Sequence, residues 1–558
     1  MRGLHTFQDY DYSYLGGRGY SQPGEYAGKI IVLIDGCQIN DSMYGQAFFD
    51  QDALLDVSLI EKVEYVPGGS SSGYTNNALL GIINIITKNG SSINGTNVSY
   101  GYGSHKTQNR RVTFGKKFEN SADVLFSLSD YNTAGRDFTY TSNEENISNT
   151  NNNTENYRMF LKTAYKNLTL EGALVSQGKN VPSYPWTSLI SEKPLKQKDD
   201  SNFIRLKYDT DITANTKLST SMWYGDYFYG YTDDLIVDEF GNGYFQRNTK
   251  AKWYGYDMKI IGTWFDKHTI SMGTEYKHDY FLSDYSITSN LSYGFKDDPK
   301  KLYTGYIYDN YELFNSLTLN YGARVEKADK KNNNDNKEIS PQIALLWQVH
   351  KNTLLKLSTS KTSRQPTIYE YQDKKLENAR KTEFVIEQSF DNNIKFLTSL
   401  YNYHISDRTA WYDNGDIKAN GIENEIEKYF DNEVELKASY AYQKAYQIED
   451  RNIPLVNTPT HMAKLHMGVP LIGKDLQMGT EVLYLGSRPD FNQDKVKSHT
   501  ITNLNFLSQD WIQNTDLSFK INNLFNKRYN DIMSYYIAEE KYYPQDGRTF
   551  YLEMEYKF

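Results

Sequence analysis

The sequence predicts a membrane all-β protein: an antiparallel transmembrane β-barrel of about 22 strands, the size class that encloses a lumen needing a filling, preceded by a small mixed α/β domain. Three observations predict it. From Thr96 onward, apolar and polar residues alternate with period two in segments of about ten residues. Tight connections between these segments take turns with long polar ones. The 558 residues are polar on average, with a mean hydropathy of -0.70, yet 15% are aromatic and 49 are tyrosine.

Composition removes several alternatives. No apolar run approaches the ~18 to 20 residues of a membrane-spanning helix, so a helical membrane protein is excluded. A chain this polar is a poor source of several large soluble cores. Abundant tyrosine suits a barrel that wets its lumen, greases its outside and carries aromatic girdles at both interfaces. The net charge of -9 has acids and bases interspersed, which leaves no basic footprint for nucleic acid. One cysteine, Cys37, rules out an intramolecular disulfide framework.

The N-terminal domain, residues 1–92, is organised around Lys29 to Lys88. Ile30-Ile31-Val32-Leu33-Ile34 ends on Asp35-Gly36, Leu59 to Val66 follows a polar loop, and Ala78 to Lys88 follows a Gly/Ser loop. Short apolar runs bounded by Asp-Gly and Gly-Gly read as buried strands. Residues 93–558 form the barrel. Leu317, Leu319, Tyr321, Ala323 and Val325 share one face, against Thr318, Asn320, Gly322, Arg324 and Glu326. Ile204, Leu206 and Tyr208 oppose Phe203, Arg205 and Lys207, and Tyr254, Tyr256, Met258 and Ile260 oppose Trp253, Gly255, Asp257 and Lys259. A soluble sandwich also alternates, so connection lengths decide. Tight links near Lys166, Asp266, Phe314, Lys351 and Asp391 alternate with long ones near 132–156, 178–201, 230–250, 283–300 and 363–381. The Asn-rich run from Ser142 to Asn156 is a low-complexity loop without assigned structure.

Together these pieces resemble the TonB-dependent outer-membrane receptors, a family of cobalamin, siderophore and haem importers. The resemblance rests on Gly17-Arg18-Gly19, Ile31 to Gly36, Ile60-Glu61-Lys62-Val63-Glu64, Tyr74 with Asn77-Ala78, and Gly81 to Lys88 in the plug. In the barrel it rests on Ser363-Arg364-Gln365-Pro366-Thr367, Asn420-Gly421-Ile422-Glu423, Asn457 to His461, Asn523 to Tyr529, Gly547-Arg548 and the terminal strand ending on Phe558. Pro67-Gly68-Gly69 stands where the family usually has Arg-Gly-Pro. The resemblance implies a plug in the lumen, active import across the outer membrane of a Gram-negative bacterium, a monomer in outer-membrane lipid, and the TonB complex of the inner membrane as partner. No signal-peptide core occurs in the first 28 residues, so the expectation is a chain shortened at its N-terminus, with the coupling segment upstream.

Candidate site residues follow from the same comparison. Plug loops at Phe7 to Tyr14 and Asn40 to Phe48 offer Gln8, Asp9, Tyr10, Tyr12, Tyr44 and Gln46 to a bulky metal chelate or cobalamin-like ligand, with Trp186, Arg364 and Arg380 from barrel loops. Tyr10 and Tyr12 could equally pack on the barrel wall. Lys193, Lys196, Lys198, Lys374 and Lys375 could draw an anionic ligand, although acids are interleaved with them. Asp233, Asp234 and Asp238 could hold calcium, but a solvated acidic loop is the commoner explanation. No cofactor is implied, and none of the nine histidines pairs at metal-ligand spacing. Haem is disfavoured, because Thr367 to Lys381 holds no histidine. Gly69-Ser70-Ser71-Ser72-Gly73 fits a nucleophile elbow at Ser71, but a strand follows where a helix is required, so the protein is not read as an enzyme. The alternatives are a passive porin, which does not explain Lys29 to Lys88, and a non-functional shortened receptor.

Overall fold

The computed structural model describes residues 2–9, 11–25, 28–68, 78–142, 146–182, 194–238, 241–288, 292–296, 299–330, 333–365, 367, 376–408, 415–449, 453–473, 475–532 and 542–558. For 139–142, 146–150, 233–238, 241–245, 288, 292, 293, 295, 296, 330 and 333–336 it describes the backbone alone.

The chain opens with a hairpin of β1 (Leu4–Gln8) and β2 (Ser13–Gly17), in register from Leu4↔Gly17 to Gln8↔Ser13. A four-stranded mixed sheet follows, built from β3 (Ile30–Ile34), β4 (Cys37–Gln38), β5 (Ile60–Pro67) and β6 (Gly81–Thr87) in the order β4-β3-β6-β5. β3 and β6 are the parallel pair, with Ile30 opposite Gly81. A central strand covered on both faces reads as an unbroken apolar run, and every residue of β3 is buried. Asp35 and Gly36 both take positive φ, 48° and 87°, which lets the chain reverse tightly into β4. Among the described residues of this domain, helix is limited to the single turns Asp50–Asp52, Val57–Leu59 and Gly90–Ile93. That is less than a mixed α/β expectation suggests. The barrel wall shields the sheet, so a helical layer is not needed to cover it.

Twenty-two antiparallel strands from Gly95–Gly103 to Thr549–Lys557 close the barrel. The last strand pairs with the first, from Tyr551↔Gly103 to Lys557↔Asn97, so no edge is left open to lipid. Short Ser292–Lys296 pairs only onto the end of strand His268–Thr288, outside the ring. Faces fall as the alternation predicts. Ile204, Leu206, Tyr208, Tyr254, Tyr256 and Met258 are exposed on the outer wall, while Phe203, Arg205, Trp253, Arg324 and Glu326 are buried in the lumen.

Two loop expectations are corrected. The Asn-rich stretch supplies one strand of a hairpin, Asn146–Asn151, which pairs with the preceding Asp137–Ser142 in register from Asp137↔Asn151 to Ser142↔Asn146. Backbone pairing, to which side-chain composition is blind, organises it. The expected loop over 230–250 is mostly strand, because Thr216–Asp238 and Gly241–Trp264 remain paired up to Asp238↔Gly241.

The main apolar core lies at the seam between the two parts. Ile30, Val32, Ile34, Met43 and Phe48 of the N-terminal domain share one buried cluster with Phe160, Ala173, Tyr227, Trp253 and Tyr401 of the wall.

Candidate functional site: the plug and its seat in the barrel wall

Two clusters fix the N-terminal domain in the lumen. The upper one begins with the turn between β1 and β2. Asp9 is buried, and its Oδ1 accepts hydrogen bonds from the backbone N–H groups of Asp11 (3.1 Å) and Tyr12 (2.9 Å), while Oδ2 accepts from the Tyr14 hydroxyl at 2.9 Å. An aspartate that ties down its own turn in this way fixes the loop's shape. The loop then meets the wall. The Tyr12 hydroxyl donates to Asp199 Oδ1 at 2.9 Å, and the Tyr227 hydroxyl donates to the same oxygen at 3.0 Å. Gln197 Nε2 donates to Asp11 Oδ1 at 2.7 Å and to Asp199 Oδ2 at 2.9 Å.

Lys179, from strand Leu168–Val181, is the cation of this cluster. Its Nζ lies 3.3 Å from Asp11 Oδ1, 3.6 Å from Asp52 Oδ1 and 3.7 Å from the centre of the Tyr12 ring. Three plug aspartates crowd around one lysine, all withdrawn from water. Burial therefore pushes the Asp9 carboxyl up to about 6 and that of Asp11 up to about 7, with Lys179 opposing the shift.

The second loop repeats the device. Asp41 Oδ1 accepts from the N–H groups of Met43 and Tyr44, both at 2.7 Å, and Oδ2 accepts from that of Gln46 at 2.8 Å. The Tyr44 ring stands edge-on to Tyr227 and Tyr229, with centroids 6.2 and 6.1 Å away.

The lower cluster centres on Arg18, one of the largest fully buried side chains among the described residues. Its Nε lies 3.1 Å from Glu423 Oε1 and its Nη2 lies 2.7 Å from Glu383 Oε1. The guanidinium also sits 4.5 Å over the Tyr401 ring. Lys381 Nζ donates to Glu383 Oε2 and to the Pro67 carbonyl, both at 3.1 Å. Neighbouring glycines make the approach possible. Gly19 has φ +86°, and a Cβ there would stand 2.8 Å from that of Ala445; Gly68 has φ +77°, and a Cβ would collide with the Tyr403 hydroxyl.

The candidate residues divide as follows. Asp9, Tyr12, Tyr44 and Gln46 are brought together, but they are buried against the wall as anchors of their loops. Gln8 is half-buried, and its N–H donates to Asp531 Oδ2 at 3.1 Å. Arg364 is a buried lumen residue whose Nε is 2.7 Å from Glu377 Oε2; Glu377 Oε1 is 3.2 Å from plug residue Lys29. Arg380 is turned away: in strand Glu377–Phe390 it is exposed between buried Ala379 and Lys381, so alternation puts it on the outer wall. Lys196 and Lys198 are likewise exposed between buried neighbours. Tyr10, Trp186, Lys193, Lys374, Lys375 and Ser71 lie outside the described residues, as do the side chains of Asp233, Asp234 and Asp238, whose backbone lies in strand Thr216–Asp238. Sequence reasoning missed Asp11, Lys179, Asp199 and Tyr227. The available signal was a lumen face carrying charge and phenol at the top of successive strands.

A family model described as TonB dependent receptor-like, β-barrel matches residues 149–524. The chain belongs to that family. As a TonB-dependent receptor-like β-barrel it is an outer-membrane protein of the Gram-negative type. The vitamin B12 transporter BtuB of Vibrio vulnificus is 32% identical over 109 residues, which are 19% of this receptor and 17% of that protein. The match thus spans under a fifth of the curated relative. Among solved structures, the FrpB iron transporter from Neisseria meningitidis superposes with a TM-score of 0.77 at 15% identity, covering 100% of this chain and 95% of that one. The ferric yersiniabactin uptake receptor FyuA from Yersinia pestis gives 0.77 at 13%, covering 100% and 93%. These likenesses concern the fold.

Proposed function

We propose that this receptor is an active importer of a scarce metal chelate or a cobalamin-like ligand, with residues 1–92 as the plug, residues 93–558 as the transport barrel and the TonB complex as the source of the pull. The observation that carries this reading is the double anchorage of the plug, at Asp11–Lys179 above and at Arg18–Glu383–Glu423 below. A plug tied to the wall at two levels keeps a bulky ligand from drifting through, so passage requires work on the plug. BtuB among the relatives favours the cobalamin-like branch. Gln8, Tyr12, Tyr44 and Gln46 are the plug groups a captured ligand would engage, the first three by displacing their present contacts with the wall.

Uptake of radiolabelled cyanocobalamin and of a panel of radiolabelled ferric siderophores, by cells expressing the full chain, tests it. Import of one member should collapse when a protonophore dissipates the proton gradient. Uptake that is indifferent to the gradient overturns the proposal.

A further inference from the structure

The charged groups of the lumen differ in how much water reaches them. Where the plug is anchored they are closed off: the Glu423 side chain, against Arg18, is 1% exposed. Further down the same strand, Ile417–Tyr429, Glu427 is 26% exposed. On the strands that follow, the shielding is gone, with Lys437 at 40%, His466 at 41% and Glu481 at 35%.

These open groups face inward. Direct partners in an antiparallel ladder share a face, and Glu427↔Lys437, Lys437↔His466, His466↔Glu481 and Glu481↔Asn503 are successive partners across five strands. Glu427 is an even step along its strand from Glu423, which touches the plug, so the whole row points into the lumen.

Two cavities lie along this wall. The upper one, about 690 Å³, separates Phe7, Val63 and Ile85 of the plug from Leu483 and Ile501, and reaches Asp546 and Gly547 at the long-loop rim. The lower one, about 460 Å³, continues to Tyr429 and Glu435, the partners that close a tight turn at the opposite rim. Glu481, Asn503 and Asn522 line both. Among the described residues, the two cavities therefore meet beside the plug and together run from rim to rim. Their shared and lower walls carry charged and amide groups, and a polar cavity of this size holds water.

We infer that the seated plug leaves this side of the lumen as a hydrated conduit, through which small inorganic ions cross the barrel without ligand and without work on the plug. Acids and bases are mixed along the wall, Glu427 and Glu481 with Lys437, Lys464 and Lys520, so neither sign of ion is strongly favoured. The activity is separate from energised import of a bulky ligand, and neither depends on the other.

Ion conductance of the purified full chain in a planar bilayer bathed in potassium chloride tests it, with no ligand, no TonB complex and no denaturant. Folding of each variant is checked by heat-modifiable electrophoretic mobility. The folded chain should give a steady conductance proportional to voltage. Asn503→Trp and Asn522→Trp place a large ring where the cavities meet, and should lower the conductance by roughly half or more, as a narrowed pore does. Val482→Trp lies between Glu481 and Leu483 on the opposite, lipid face of strand Leu476–Leu485 and should leave it unchanged. Under a salt gradient, Glu481→Lys should move the reversal potential toward the anion side and Lys520→Glu toward the cation side, as expected of charges that line the path. Absence of conductance from the folded chain overturns the proposal. Conductance that both lumen tryptophans and both charge reversals leave unmoved also overturns it, because the ions would then cross elsewhere.

Discussion

Nη2 of Arg18, in the plug, lies 2.7 Å from Oε1 of Glu383 in the barrel wall, and the contact joins positions 365 residues apart. Neither partner can find water. Breaking such a buried pair from one side leaves a charge uncompensated, which costs about 3–5 kcal/mol. Arg18→Met leaves Glu383 to Lys381 and Ser399 and Glu423 to Arg2. These remaining partners hold the loss below that range, and the plug should still loosen, seen as faster hydrogen exchange across Ile30–Ile34 with the barrel strands unchanged. Glu383→Gln leaves Glu423 on Arg18 and should do less. Equal exchange in Arg18→Met and wild type would remove Arg18 from the anchorage.

The upper anchor separates a charge from a hydrogen bond. Lys179→Met leaves the Asp11 and Asp52 carboxylates buried without their cation, and should free the apical turn by several kcal/mol. Tyr12→Phe removes one donor from Asp199, which keeps Tyr227 and Gln197; the expected loss is about 1 kcal/mol. Urea titration followed by exchange at residues 11–15 ranks the two variants. A reversed order would show that the Tyr12 hydroxyl and its bond to Asp199, rather than Lys179, fix the turn.

The same turn should respond to pH. Asp11 is pushed from 3.8 up to about 7, by burial first and by Asp9 and Asp52 after it, against Lys179 and Gln197. The folded state holds this proton more tightly than the unfolded chain. Its contribution to stability is therefore complete below the unfolded value of 3.8 and is lost as pH rises through about 7. Protection of the turn, corrected for intrinsic exchange, should fall between about pH 4 and 7 and level off above that. Asp11→Asn should flatten the profile, and a flat profile in the wild type would contradict the account.

How far the sequence reveals this arrangement depends on the range of each interaction. Outer and inner faces are legible because they repeat every second residue, as at Phe203 to Tyr208, and the strand count follows from the turns that punctuate them. The ends of strands are not. Gly230 to Lys250 looks like a loop because its residues are polar, while backbone pairing carries the strands on to Asp238. Site residues were identified by type but not by exposure. Tyr12 and Tyr44 read as ligand groups, and only the fold brings Asp199 and Tyr227 against them.

Phe558 should matter to assembly rather than to final stability. Its side chain is largely exposed on the outer wall beside Tyr556, with ring centroids 4.7 Å apart, while its N–H donates to the Thr96 carbonyl at 2.8 Å across the closing seam. Deleting Phe558 removes one backbone bond of the closure and the terminal aromatic. The yield of heat-modifiable barrel in the membrane fraction should drop severalfold, while the thermal midpoint of the barrel that does form stays close to wild type. A large fall in midpoint with normal yield would assign the residue to stability instead.

Cys37 gives a direct reading of plug position, because it is the one cysteine of the chain. It follows the β3 turn, is 5% exposed, and lies beside a cavity of about 240 Å³ between the plug and the wall residues Arg205, Asp257 and Arg324. Burial pushes its thiol up to about 12, so little thiolate is present near neutral pH and bulky reagents have no access. A maleimide carrying a polyethylene glycol chain should therefore label the resting receptor slowly and the urea-unfolded chain rapidly. In energised cells supplied with the imported ligand, the rate should rise and fall back when a protonophore is added. Labelling of the resting receptor as fast as that of the unfolded chain would show that the lumen around Cys37 is open. An unchanging slow rate during energised uptake would show that transport proceeds without withdrawing β3 and its turn from the wall.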